Sequence, residues 1–362
     1  MTNNLDVCIY SSSEKIWGGG QIYIENLCRY MNDKGLNTVI ATSEPDSFSC
    51  PTMTISSVAS KDKRFLSSLT LTNKLRKSGV KVILLNDLGS LWLAPTFKLQ
   101  GFKVVSLLHL YLQRQNAVGL GHSNIEYHLL KLSSYFCDKV FSVNKENLQT
   151  FPVKVEFVGN FISPWFFGES KVTKKYDLGI ISRLSSEKNI PLFINIIGKL
   201  KSQSTKPLKA LILGRGEEKE NIINAIEQAG LQDTIDLRDW ADRKDLPTIY
   251  DSIKCFAITS HHEGFATTLL EAHARGIPAI ITKSAGFCAE FVEGFGGATG
   301  ISFVPEDVEH FDFHQSVLSL IEHADGYYDD CVSKAKIFSE DKVLGQISAG
   351  IESFNLDSLK CK

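Results

Sequence analysis

The densest chemistry in this 362-residue chain lies in the run Ser260-His261-His262-Glu263-Gly264-Phe265-Ala266-Thr267-Thr268-Leu269-Leu270-Glu271-Ala272, which follows the apolar segment KCFAIT. Two carboxylates eight positions apart invite a hydrolase reading. Even on a single helix, eight residues rise about 12 Å, beyond the roughly 5 to 9.5 Å that separates the paired acids of glycosidases. That spacing instead suits holding two ends of one elongated ligand. Glu271 sits between Leu270 and Ala272; a carboxylate in such an apolar turn needs hydroxyl partners, the alternative being a solvated helix position. His261 and His262 are adjacent and lack an HExxH frame, so no metal site is expected.

A second cluster is Ser182-Arg183-Leu184-Ser185-Ser186-Glu187-Lys188-Asn189, after the apolar run YDLGII. Arg183 at a strand end and Lys188 at a helix start would together neutralise a diphosphate without a metal ion; ordinary surface cations are the alternative. Gly18, Gly19 and Gly20 lead straight into a helix, which suits a phosphate or a sugar oxygen, although the pattern is neither GxGxxG nor a Walker loop. In LILGRGEEK, Gly214 and Gly216 half-match a dinucleotide fingerprint, but Lys219 stands at its last glycine position, which disfavours a nicotinamide cofactor. His109 closes the run KVVSLLHL. It either orients a hydroxyl or is simply a partly buried histidine. Arg114 meets an acceptor phosphate or solvent.

These residues share a position: each follows a predicted strand. Short apolar runs (LDVCIY, NTVIAT, KVILL, KVVSLL, KVFSV) alternate with amphipathic segments such as 21–34, the rhythm of a parallel α/β domain. It restarts with YDLGII, LKALIL, TIDL, KCFAIT and IPAII. The expectation is an α/β protein of two Rossmann-like domains facing across a cleft, 1–165 and 166–338. The linker is read in VGNFISPWFFGESKVTKK, and a closing helix over 339–362 is expected to pack back toward the first domain, with Val343, Ile347 and Ile351 at helical spacing. Open parallel sheets bind ligands at the carboxyl ends of their strands, where these residues lie.

Composition narrows the classes. Hydrophobic residues at 43% and charged residues at 22% fit folded, core-forming domains rather than disorder. The eight cysteines show no CxxC pair, so neither a disulfide framework nor a zinc knuckle is expected. No run reaches the roughly 20 apolar residues of a membrane span, and the opening MTNNLDVCIY lacks the order of a secretory signal. A cytoplasmic protein is the expectation. Residues 1–165 carry 17 Lys and Arg against 12 Asp and Glu, whereas 166–362 carry 22 against 29. A basic first half fits an anionic surface or substrate, including peripheral contact with the inner face of a membrane, while dispersed charge on an ordinary surface is the alternative. No nucleic-acid motif accompanies it.

The Glu263-x7-Glu271 motif in its strand-turn-helix context, the sequence EAHARGIPAI, the Arg183-to-Lys188 element and the glycine loop together resemble the family-four retaining glycosyltransferases of the GT-B fold. Similarity is dense over 176–305. The resemblance implies that Arg183 and Lys188 hold the donor diphosphate and stabilise the departing nucleoside diphosphate. It places Glu263 on hydroxyls of the transferred sugar, Glu271 on the ribose, and Gly214, Gly264, Phe265, Ala266 and Thr267 around the donor. Gly19 and Gly20 would offer backbone amides from the other domain, His109 would lie near the sugar, and the loop 238–241 would flank the base. The donor would be a nucleoside-diphosphate sugar acting as substrate, with no cofactor or metal. The acceptor would be a hydroxyl of a glycan or lipid-linked molecule, as in surface polysaccharide or lipopolysaccharide synthesis, and transfer would retain anomeric configuration. Ser182, Ala266 and His273 depart from the family pattern. A sugar-nucleotide epimerase or phosphorylase, or an idle scaffold subunit, are the rival readings.

Overall fold

A computed structural model of the protein describes residues 5–11, 19–55, 71–112, 123–169 and 172–356. The chain divides into two compact units, Met1–Gly159 with Val343–Lys362, and Asn160–Lys342.

The first unit is built on a parallel sheet whose strands are β1 (Val7–Ser11), β2 (Thr38–Thr42), β3 (Thr52–Thr54), β4 (Val82–Asn86), β5 (Lys103–Leu108), β6 (Lys139–Ser142) and β7 (Val155–Phe157). Their order is β3-β2-β1-β4-β5-β6-β7. β1, β2 and β4 are buried along their whole length, as sequences such as VILLN require when helices cover both faces. The second unit has β8 (Tyr176–Ile181), β9 (Ala210–Leu213), β10 (Ile235–Arg238), β11 (Ile253–Ile258), β12 (Ala279–Thr282) and β13 (Gly300–Phe303), ordered β10-β9-β8-β11-β12-β13. Neighbouring strands in both sheets run parallel. The strands β3, β7 and β13 escaped the sequence reading because they are three or four residues long and lie at or near sheet edges.

Each order reverses once, between β1 and β4 in the first sheet and between β8 and β11 in the second. At such switch points the connecting loops leave in opposite directions and open a crevice at the carboxyl edge.

The division between units falls earlier than the boundary read at 165. Residues after Gly159 are tied into the second unit: Ile162 N donates to Phe338 O at 2.9 Å, Glu340 N donates to Ile162 O at 3.1 Å, and Phe166 is fully buried. The closing helix spans Glu340–Glu352, with Val343, Leu344, Ile347 and Ile351 buried. From Val343 onward it belongs to the first unit, where Gly350 meets the Phe141 ring so closely that a Cβ would stand 2.5 Å from it. No helix among the described residues is long and apolar enough to cross a membrane.

Candidate functional site

In the second unit the loops after β8 and β11 lie beside each other at the switch point and are stapled together. Thr259 Oγ1 donates to Lys188 O at 2.9 Å, and His261 N donates to Glu187 O at 2.9 Å. The loop after β8 tightens into a 3₁₀ turn, Ser186–Lys188, and passes through a left-handed Asn189 (φ 48°) into the helix Ile190–Gln203. A left-handed residue is tolerated by Asn more readily than by most side chains, and it redirects the chain abruptly, leaving Lys188 at the carboxyl edge.

Lys188 and Glu263 are thereby brought together, Nζ to Oε1 at 2.7 Å, both side chains mostly buried. Ser260 Oγ donates to the same Glu263 oxygen at 2.7 Å. Arg183 does not join this pair. It is exposed and bonded to Glu187, Nη2 to Oε1 at 2.6 Å, while Lys188 Nζ lies 4.0 Å from that Glu187 oxygen. A carboxylate oxygen thus stands beside both cations, where a phosphate oxygen would find the same partners. Glu187 was not singled out by the sequence reading.

Glu271 lies on the helix Thr267–Ala274 and is buried. Its Oε2 accepts from Tyr250 Oη at 2.7 Å. Burial raises its pKa to about 7, opposed by the Tyr250 hydrogen bond and by the positive charge of Arg243. Tyr250 and Arg243 carry no motif and lie 21 and 28 positions away in the chain, so nothing local announces them. Beyond Glu271 the same helix end is anchored by Arg275, whose guanidinium grips Asp251 through two bonds of 2.7 Å and reaches Phe166 O at 2.9 Å, all buried.

Between the two acids, Gly264 and Thr267 are accessible, whereas Phe265 is buried edge-on against Phe287, Phe291 and Phe338. The Ala266 amide is engaged by Cys288 Sγ at 3.2 Å. Phe265 therefore holds the turn from behind, with its carbonyl accepting from Asn160 Nδ2. Gly214 has a steric reason of its own: a Cβ there would stand 1.9 Å from Ser182 O, and one at Gly216 would stand 2.2 Å from Leu184 O. Both glycines let the loop after β9 press against the loop carrying Arg183. His273, one of the departures from the family pattern, is fully buried beside Thr299 Oγ1 at 2.9 Å; burial, with Lys334 nearby, lowers its pKa to about 3 and keeps it neutral. Arg238 is occupied by Asp236 at 2.8 Å and Tyr176 Oη at 2.6 Å, while Trp240 beyond it is half exposed.

The first unit has its own constellation at the β1/β4 crevice. Gly19 and Gly20 open the helix Gly19–Asp33; Gly18 and Arg114 lie outside the described residues. His109, just past β5, has Nε2 2.7 Å from Asn86 Oδ1 at the end of β4, and its ring meets Tyr23 edge-on with centroids 5.0 Å apart. A Cβ on Gly20 would reach 3.8 Å from the His109 ring, so helix start and histidine are neighbours. Burial lowers the His109 pKa to about 4. The ring is neutral near pH 7, and with Asn86 Oδ1 accepting from Nε2–H, Nδ1 remains as an acceptor.

The family model described as "Glycosyl transferases group 1" matches residues 162–336. Among curated proteins, the chain is 36% identical over 107 residues to the UDP-N-acetylglucosamine–peptide N-acetylglucosaminyltransferase GtfA subunit of Streptococcus gordonii, covering 30% of this chain and 20% of that protein. It is 28% identical over 158 residues to the poly(glycerol-phosphate) alpha-glucosyltransferase of Bacillus subtilis, covering 40% and 22%. The matched segments thus span about a fifth of these relatives' lengths. Among solved structures, HepE of Anabaena in complex with UDP superposes with a TM-score of 0.80 at 16% identity, over 96% of this chain and 100% of that one. Sucrose-phosphate synthase from Thermosynechococcus elongatus gives 0.79 at 14%, over 98% and 100%. At these identities the structural likeness establishes the two-sheet GT-B fold. Over residues 162–336, a little under half of its length, the chain is similar to the glycosyl transferases group 1 family.

Proposed function

We propose that the protein is a retaining glycosyltransferase that moves a sugar from a nucleoside-diphosphate sugar to a hydroxyl of a glycan or lipid-linked acceptor in surface polysaccharide or lipopolysaccharide synthesis. The observation that carries the proposal is the Lys188–Glu263 pair at the β8/β11 switch point, on the same strand-turn-helix as a buried, tyrosine-held Glu271.

The donor is read along that element. Glu271, ionised above about pH 7, accepts from the two ribose hydroxyls while Tyr250 fixes its other lone pairs. The diphosphate displaces Glu187 from Arg183 and takes its place between Arg183 and Lys188. As the glycosidic bond breaks, negative charge grows on the departing phosphate, and two preplaced cations stabilise it more than they stabilise bound donor. Glu263, oriented by Ser260 and Lys188, accepts from hydroxyls of the transferred sugar. Countercharge comes from the two side chains, and the reading assigns no metal or cofactor.

Neutral His109 serves as a hydrogen-bond partner rather than as a base, since a group with a pKa near 4 removes protons poorly at neutral pH. Gly19 and Gly20 give close backbone approach beside it. Retention follows from attack on the same face that the leaving phosphate vacates, with that phosphate receiving the acceptor proton. The relatives support a UDP-sugar as the first donor to test: HepE of Anabaena was solved with UDP and with UDP-glucose, and the Streptococcus gordonii relative is named for UDP-N-acetylglucosamine.

The test measures acceptor-dependent release of nucleoside diphosphate across a panel of UDP-sugars, with proton NMR to read the product anomer. Arg183→Ala and Lys188→Ala should each lower kcat by about 10² to 10³. Near-normal turnover of both at saturating donor would refute the assignment. Turnover of sugar nucleotide without acceptor would point to an epimerase.

A further inference from the structure

The helix Gly19–Asp33 and the edge of the first sheet bring together two cysteines that stand 22 positions apart in the chain. Cys28 is fully buried on the helix, with Sγ 3.6 Å from Thr38 O at the start of β2. Cys50 comes just before β3. In the parallel register of these strands Ile40 pairs with Thr52, and Ile40 N donates to Pro51 O at 3.0 Å. Two residues back along both strands, Cys50 falls opposite Thr38, whose carbonyl lies beside the Cys28 sulfur. The two thiols are hydrogen-bonded to each other.

Contacts on both sides hold this approach in place. Asn32 Nδ2 reaches Cys28 O at 2.8 Å, Cys28 Sγ at 3.5 Å and Thr38 O at 3.1 Å, while Asn32 Oδ1 accepts from Thr38 N at 2.9 Å. Next to Cys50, Ser49 donates to Glu25 Oε1 from its backbone N at 2.9 Å and from its Oγ. Residues 49 and 50 thus meet helix positions 25 and 28, which share one face of the helix.

The two sulfurs differ in access and in acidity. Cys50 is half-buried, within reach of a small reagent, whereas Cys28 is closed off. The hydrogen bond from Cys28 lowers the Cys50 pKa, with partial burial and Glu25 opposing it and Arg29 assisting. The same bond, together with burial, raises that of Cys28. Since the thiolate is the nucleophile in disulfide exchange, Cys50 is suited to react first and Cys28 second.

We propose that Cys28 and Cys50 form a reversible disulfide, a redox modification site that staples the sheet edge at β3 to the helix Gly19–Asp33. With glutathione disulfide as the oxidant, the Cys50 thiolate attacks one glutathione sulfur, forming a mixed disulfide and expelling a glutathione thiolate. Cys28 gives up its proton and attacks Cys50 Sγ, and the second glutathione leaves as thiolate. Two protein thiols are oxidised, one glutathione disulfide is reduced to two glutathiones, and the two thiol protons pass to them. The stapled helix is the one whose first residues, Gly19 and Gly20, stand beside His109. The inference does not depend on the proposed sugar transfer, because its readout is covalent.

The test incubates the folded full chain with excess glutathione disulfide, alkylates remaining thiols under denaturing conditions and maps the digest by mass spectrometry. The peptides carrying Cys28 and Cys50 should be joined in about half of the chains or more, and dithiothreitol should separate them. Cys28→Ala should stop at a glutathione adduct on Cys50, and Cys50→Ser should leave Cys28 as a free thiol; circular dichroism checks that each variant folds. Both cysteines alkylated in the oxidised wild type would overturn the proposal. So would a link from either one to the buried Cys8, or a link between two chains. An unmodified Cys50 in Cys28→Ala would overturn the order of attack.

Discussion

Replacing Glu271 with glutamine should stabilise the protein and weaken it as a binder, and the two effects have one cause. Burial raises the Glu271 pKa from 4.5 to about 7. The folded protein therefore holds this proton more tightly than the unfolded chain does. The contribution is fully present below about pH 4.5 and is lost as the pH climbs through about 7. The difference is worth about 3 kcal/mol, and for a unit the size of residues 160–342 that corresponds to roughly 6 to 12 °C in thermal midpoint. Glutamine keeps the Tyr250 hydrogen bond and never ionises. Glu271→Gln should thus melt higher than wild type at pH 8, with the gap closing toward pH 4.5, in differential scanning fluorimetry across that range. Isothermal titration with UDP at pH 8 should show affinity lower by roughly tenfold to a hundredfold, the cost of losing hydrogen bonds to a charged acceptor. Equal midpoints at pH 8, or a gap that persists unchanged to pH 4.5, would refute the argument that a buried carboxylate is kept here at the expense of stability.

Two further outcomes follow from the same geometry. Because Glu187 lies against both Arg183 and Lys188, Glu187→Gln should tighten UDP binding about two- to fivefold, the scale of an exposed ion pair; unchanged or weaker binding by titration would show that Glu187 does not occupy the anion position. Arg275→Leu leaves the buried Asp251 carboxylate without its partner and should cost about 3 to 5 kcal/mol in urea unfolding, whereas a loss under about 1 kcal/mol would mean that the pair is solvated.

Much of the candidate site is legible in the sequence because strand-end chemistry is local. Arg183, Lys188, Glu263 and Glu271 each follow an apolar run that reads as a buried strand, in the turn that ends the run or on the helix after it. What was not legible depends on contacts between distant segments. Tyr250 reaches Glu271 and Asn86 reaches His109 only once the sheet has formed. That Lys188 bonds Glu263 while Arg183 bonds Glu187 depends on the staple between the loops after β8 and β11. At Gly214 the sequence shows a glycine after a strand, but not the approach of Ser182 O that leaves no room for a Cβ.

The seam at residue 343 has a consequence for how the molecule is put together. The first unit is discontinuous: Phe141 on β6 and Tyr30 on its first helix are covered by Gly350 and Gly345, which a ribosome adds some two hundred residues after β6. The part begun first is completed last, and until then β6 and that helix wait without their cover while an entire second unit is synthesised. Proteins cut short before this helix should therefore fail in their amino-terminal half, far in sequence from the cut.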